Sequence, residues 1–296
     1  MSQLLSVLLS GVAYGVPLFL VASGLTLIYG VIRVLNFAHG AFFVLGALLT
    51  AGLLGGTAPS LPAFVLAVLL GGALAGAVGL VTEMSVVRRL YRAEHMTMLL
   101  GTYAVLLALE GASEVVWGTD SRSQRQPELL AGDVRVAGAA ITVYDLVLVA
   151  VGIVVAVGLW LLINRTRPGR AVRAIAQDAT MAQAIGINAK TVLLLVFGFG
   201  SMLAGIAGAL MAPNVAISPS LGNAFILQCF AVVIVGGLGS VEGSLIAAVL
   251  AGVAETAAVA YAPALTGFTF YILVAVVLVL RPQGLLGNAR LGRAQT

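Results

Sequence analysis

The chain has 296 residues, of which 61% are hydrophobic and 9% charged, with a formal net charge of +4. Soluble domains need roughly 25% charged residues to cover a water-facing surface, so at a mean hydropathy of +1.12 most of this surface has lipid as its solvent. That excludes a water-soluble globule. The positive balance reads as loop charge bias, and no nucleic acid is expected as a partner.

In chain order, the N-terminus turns apolar at Leu4 without the basic start and cleavage site of a secretory signal. It is expected to be retained within the first membrane segment. Apolar stretches follow near 4–32, 37–56, 61–82, 97–117, 142–163, 192–212, 224–238, 244–262 and 264–280. A helix crosses the hydrocarbon with about 20 apolar residues, and each stretch reaches or approaches that length. A closed β-barrel would need segments of about 10 residues with alternating polarity, and Leu245-Ile246-Ala247-Ala248-Val249-Leu250 does not alternate. The expected fold class is all-α: a polytopic membrane helix bundle of about eight to nine spans, forming one transmembrane domain over residues 1–296.

Orientation follows from the basic residues, because positive loops stay in the cytoplasm. The loop 83–96 holds Arg88, Arg89 and Arg92; the loop 164–191 holds Arg165, Arg167, Arg170, Arg173 and Lys190; the tail adds Arg281, Arg290 and Arg293. Between the two basic loops, 118–141 balances Arg122, Arg125 and Arg135 against Asp120, Glu128 and Asp133, and alternation puts it outside, together with the uncharged 213–223. The N-terminus is then expected outside and the C-terminus in the cytoplasm. The segments around 224–262 fit either two crossings or a re-entrant hairpin.

Two places interrupt the helical pattern. In the first, Gly30 to Gly40, the residues Arg33, Asn36 and His39 break apolar sequence; the second is Gly236-Gly237-Leu238-Gly239-Ser240-Val241-Glu242-Gly243. Non-helical backbone at membrane depth requires protein or a water-filled cavity to satisfy it, and in transporters it marks the substrate path. The alternative is a pair of tight cytoplasmic turns. Asn36 is expected to cap a helix beginning at Phe37. Glu110 and Glu255 are ionisable groups inside apolar stretches, which makes each a functional candidate; Glu110, with Glu114, also fits an approach to the outer interface.

The segment from Thr166 to Asn188 is the most informative polar stretch. Val172, Ile175, Ala179, Ala182 and Ile185 recur at helical spacing, with Arg173, Gln177 and Thr180 opposite. Pro168 suits a first turn and Gly186 a C-terminal cap. A short amphipathic cytoplasmic helix results, read either as a docking helix for a motor or as a helix lying on lipid or packed in its loop.

Motifs for chemistry are lacking. No glycine-rich stretch carries the Lys-Ser or Lys-Thr of a Walker A loop, so the chain is expected to bind no ATP and no other cofactor. Gly237-x-Gly239-x-x-x-Gly243 has no βαβ context. His39 and His95 lack metal-ligand spacing, and Cys229 lacks a base or a disulfide partner. An enzyme is not expected.

Four blocks carry a resemblance. Gly24-Leu-Thr-Leu-Ile-Tyr29-Gly30 runs into Leu35-Asn36-Phe37-Ala38-His39-Gly40. Gly169-Arg170-Ala-Val-Arg173-Ala-Ile-Ala-Gln177-Asp178 is followed by Gly186-Ile187-Asn188. Val235-Gly236-Gly237-Leu238-Gly239-Ser240 precedes Gly243, Gly252 and Glu255, and Arg281-Pro282-Gln283-Gly284-Leu285-Leu286-Gly287 ends the pattern. Together they resemble the permease subunits of branched-chain amino-acid ATP-binding-cassette importers, a family to which urea and short-amide importers are similar. The resemblance implies a second, related permease, two cytoplasmic ATPase subunits carrying ATP and Mg, and a periplasmic or lipid-anchored substrate-binding protein, besides membrane lipid. It implies a transport path near Asn36, Phe37, His39, Gly236, Gly237, Gly239 and Glu255. It also implies an ATPase-coupling loop at 164–191, using Arg170, Arg173, Ile175, Gln177, Asp178, Gly186 and Asn188. The competing reading is a secondary carrier driven by an ion gradient; Glu110 and Glu255 are sparse for the proton or sodium relay it would need.

Overall fold

In the computed structural model, residues 2–91, 93–136 and 138–287 are described; Arg92, Arg290 and Arg293 of the basic loops lie outside them. The helices are α1 (Ser2–Ile32), α2 (His39–Leu54), α3 (Leu61–Thr82), α4 (Arg88–Leu90), α5 (His95–Trp117), α6 (Val143–Arg165), α7 (Arg167–Gln177), α8 (Ala179–Ala184), α9 (Ala189–Met211), α10 (Leu221–Gly236), α11 (Val241–Tyr261) and α12 (Thr269–Leu280). Among the described residues, six helical runs are long and apolar enough to cross a membrane: Gln3–Ile32, Leu61–Leu90, His95–Trp117, Val143–Arg165, Ala189–Met211 and Val241–Tyr261. Three shorter apolar helices, α2, α10 and α12, occupy the remaining hydrophobic stretches.

The all-α expectation needs one amendment. Within 118–141 the chain forms an antiparallel hairpin, β1 (Asp133–Val136) paired with β2 (Ala139–Thr142), with Asp133 opposite Thr142. Its turn uses Gly138 at φ +82°, a conformation glycine adopts without steric penalty.

The core is built on α1, α2, α3, α9 and α11, which pack against one another along their lengths. Without a hydrophobic drive between helices in lipid, close backbone approach supplies the packing energy, and small residues permit it. A Cβ on Gly208 would collide with the Phe43 carbonyl oxygen, and one on Gly46 with that of Gly205, so α2 and α9 meet backbone to backbone. Gly252 stands in the same relation to Gly11 across α1 and α11. By contrast α6 and α12 turn Ile153, Val154, Val157, Val276 and Val279 outward, as a lipid-facing wall should.

One buried charge escaped the sequence reading. Helix α3 runs into a π-helical turn, Glu83–Val87, and Glu83 is fully buried. Arg88 donates to both of its oxygens, 3.2 Å from Nε and 2.7 Å from Nη2, while Tyr91 Oη donates at 2.9 Å. Burial, then the bond to Glu83, pushes the Tyr91 hydroxyl far above its usual titration range. The pair is separated by five residues, a spacing that a π turn aligns and an α-helix does not.

Candidate functional site

The first break enters the bundle. Helix α1 ends at Ile32, and Arg33 adopts φ +60°, a left-handed conformation that costs a non-glycine residue about 1–3 kcal/mol. Two bonds hold it: its N–H donates to Tyr29 O at 2.7 Å, and its Nη2 donates to Ala176 O on α7 at 3.0 Å. The chain then climbs inward. His39 Nε2 donates to Val21 O at 3.1 Å, and Val21 lies roughly 16 Å back along α1 from Ile32 at 1.5 Å per residue. Helix α2 therefore begins inside the bundle.

Each residue of the break has a distinct environment. The side chain of Asn36 is buried, and its Oδ1 accepts from Ala38 N at 3.1 Å. It thus braces the turn before α2 instead of capping a helix at Phe37; the helix starts at His39, with Ala38 in the cap position. Phe37 N donates to Thr102 Oγ1 on α5 at 3.3 Å. The Phe37 ring stands edge-on to Tyr103 of α5 at 5.8 Å and Phe230 of α10 at 4.9 Å. Asn36 Nδ2 and His39 Nδ1 are buried with no protein hydrogen-bond partner among the described residues. Buried polar atoms in that state are rare and call for an explanation. A crevice too narrow to admit a water molecule, bounded by Ile28, Leu35, Asn36, Val87, Thr102 and Phe197, lies beside Asn36.

The second break has the geometry of a turn. Gly237 and Gly239 have φ of +99° and +88°, Ser240 N donates to Gly237 O at 3.0 Å, and the Ser240 hydroxyl caps α11 by accepting from Gly243 N at 3.0 Å. The segment 284–287 closes over it, with Leu285 N donating to Val235 O at 2.8 Å and Leu286 N to Gly236 O at 3.1 Å. Packing and turn geometry account for Gly236, Gly237 and Gly239, and the break does not penetrate the bundle as the first does. Glu255, 8% exposed, accepts from Gly267 N at 3.0 Å and from Thr269 Oγ1. It holds the loop between α11 and α12, away from the Asn36–His39 break.

The amphipathic segment is two helices, where the sequence pattern suggested one. Thr166 caps α7 by accepting from Gly169 N at 3.1 Å. Asp178 ends α7 and caps α8, accepting from Thr180 N at 2.8 Å and Met181 N at 2.9 Å. Gly186, at φ +89°, closes α8 in a Schellman arrangement: Ile187 N donates to Ala182 O and Gly186 N to Gln183 O, both at 3.0 Å. Asn188 caps α9 through Thr191 N at 3.2 Å. Ile175 and Ala182 face inward and are buried, and Arg173 donates to Ile163 O, tying α7 to α6. The apolar residues left outward are Met181 and Ile185, 63% and 71% exposed. Arg170, Gln177 and Asp178 are exposed beside them. An open groove of about 370 Å3 lies along Gln183 to Lys190.

Residues 7–281 match the family described as branched-chain amino acid transport system / permease component. The chain belongs to that family. It is 30% identical to the high-affinity branched-chain amino acid transport system permease protein BraD of Pseudomonas aeruginosa, covering 95% of each chain. It is also 30% identical to the permease LivH of Escherichia coli, covering 94% of each, and to a probable LivH of Methanocaldococcus jannaschii, covering 95% of this chain and 92% of that one. Like other members of this permease family, the chain is a multi-pass protein of the cytoplasmic membrane and a transport component, not an enzyme.

Proposed function

We propose that this permease carries branched-chain amino acids into the cytoplasm as part of an ATP-driven importer, with residues 33–39 forming part of the solute path or its gate. The observation that carries the reading is a family match over nearly the whole chain, joined to a break that carries Asn36 and His39 into the helix bundle. Substrate passes without chemical change. The partners are a second related permease, two cytoplasmic ATPases holding ATP and Mg, and a soluble or lipid-anchored binding protein; no cofactor belongs to this chain. Residues 1–296 act as one permease domain, with the coupling loop at 164–191 in the cytoplasm.

Nine apolar helices among the described residues support nine crossings, which puts the N-terminus outside and the C-terminus inside by the basic-loop rule. A reporter fused after Arg173 should be cytoplasmic and one near Gln126 external; the same side for both would reverse the topology.

The deciding experiment is ATP-dependent leucine uptake into proteoliposomes holding the complex, with binding protein supplied. Uptake driven by an ion gradient without ATPases would favour the secondary carrier instead. In the same assay, His39→Ala or Asn36→Ala should lower uptake severalfold while the complex still assembles, since each removes one of the hydrogen bonds that position the break. Unchanged uptake in both would reduce the break to a structural turn.

A further inference from the structure

Helices α5 and α10 run antiparallel on either side of Phe37. On α5, Tyr103, Leu107 and Glu110 share one face at intervals of four and three residues; on α10, Asn223, Leu227 and Phe230 do the same. Phe37 contacts Tyr103 and Phe230 at one end. At the other end Asn223 Nδ2 donates to Glu110 Oε2 at 2.7 Å. Between these contacts Leu107 and Leu227 remain 48% and 45% exposed. These contacts frame a strip of side chains roughly 10 Å long, counted over the seven residues from Tyr103 to Glu110 at 1.5 Å each. One end is aromatic, the middle aliphatic, and the far end carries a carboxylate.

This face differs from the other outward walls. Along the middle of α6 and along α12 the outward residues, Val154, Trp160, Tyr271 and Val276 among them, carry no charge and suit lipid. Glu110 stands seven residues before Trp117, at the end of α5, roughly 10 Å in from that end. It is partly exposed, and its Oε1 accepts no hydrogen bond from the described residues. A carboxylate at that depth, half satisfied and turned outward, is costly against hydrocarbon, and such groups face water-filled cavities or partner proteins.

We infer that this strip is a station on the solute path, closed on its outer side by the second permease, and that it takes one aliphatic amino acid at a time. Glu110, oriented by Asn223, pairs with the ammonium group of the solute, and Leu107 and Leu227 receive its side chain. This rests on the amino-acid permease reading above and adds to it the groups that recognise the substrate class. It also accounts for the place of Phe37, whose ring ends the strip where the break emerges between α5 and α10.

The test uses the complex in proteoliposomes with Cys229→Ala as background, Cys229 being the one cysteine in the sequence and buried. Leucine uptake should fall at least tenfold in Glu110→Gln and survive largely in Glu110→Asp, which keeps the charge. Glu110→Cys should react with a charged, membrane-impermeant thiosulfonate, and leucine trapped by the complex should slow that reaction; Val154→Cys on α6 should stay inert. Wild-type uptake matched by Glu110→Gln, or a Glu110→Cys as unreactive as Val154→Cys, would overturn the assignment. A wild-type complex that transports no amino acid would instead overturn the reading on which it rests.

Discussion

Gly208→Val should leave almost no correctly folded protein in the membrane, while Gly158→Val should be tolerated. The reason is the α2–α9 contact, where a Cβ on Gly208 meets the Phe43 carbonyl oxygen. Overpacking in ordinary cores costs about 1–3 kcal/mol because side chains can shift. Here the obstacle is backbone, and α9 also packs on α1 and α3, so relief in one direction creates a clash in another. A loss of about 3 kcal/mol or more is large beside a total stability of roughly 5–15 kcal/mol. Gly158, on α6, has nothing within 4 Å of the corresponding position. Expression level and size-exclusion profile in detergent measure the outcome. Equal, monodisperse yields from both variants would show that α2 and α9 can separate at little cost.

The second large effect is expected at the coupling segment. Met181→Asp combined with Ile185→Asp should detach the ATPases from a folded permease. These two side chains are exposed, so the substitution disturbs little within the chain, and on the proposed coupling role they are the apolar groups that α8 offers to a partner. A side chain that fills a partner's groove contributes about 2 kcal/mol or more at a hot spot, and 2 kcal/mol alone weakens binding about 30-fold. Co-purified ATPase should fall accordingly, and ATP-dependent leucine uptake with it. Ile175→Asp is a different experiment, because Ile175 is buried against the permease itself; it should destabilise the α7 corner before any partner is involved. ATPase retention at the wild-type level in the Met181 and Ile185 double variant would move the docking surface elsewhere.

Much of this architecture was legible in the sequence, because the signals are local and strong. Hydrophobic stretches long enough to span and Gly186 after an apolar period follow from rules acting within a few residues. Tertiary relations were hidden. The spacing of Asn36 and His39 announced a break, but only the His39–Val21 bond reveals that the break reaches into the helix bundle. The glycines at 236, 237 and 239 look much the same in sequence, yet their turn is covered by residues some 50 positions away. Periodicity found the amphipathic face of 166–188 but could not tell which part of it is free, since the burial of Ile175 depends on packing within the folded chain. Glu83 and Arg88 both read as part of the basic loop 83–96, because a five-residue pairing belongs to the π turn, which short-range patterns do not anticipate. Glu110 and Asn223 stand 113 residues apart, beyond the reach of any local rule.

Arg33 is the place where α7 and the break share one residue. Its backbone is left-handed, and its guanidinium is bound to the carbonyl of Ala176 on α7. Any displacement of α7 that stretches that 3.0 Å bond beyond hydrogen-bonding range removes one of the two restraints on a conformation costing about 1–3 kcal/mol. Relaxing it reverses the handedness of the backbone at the foot of the 33–38 ascent and redirects the residues leading to Asn36. A bias of 1–3 kcal/mol changes a two-state ratio by roughly 5–150-fold. Arg33 thus ties the direction of the backbone entering the break to the position of α7, so that a shift of one is felt at the other.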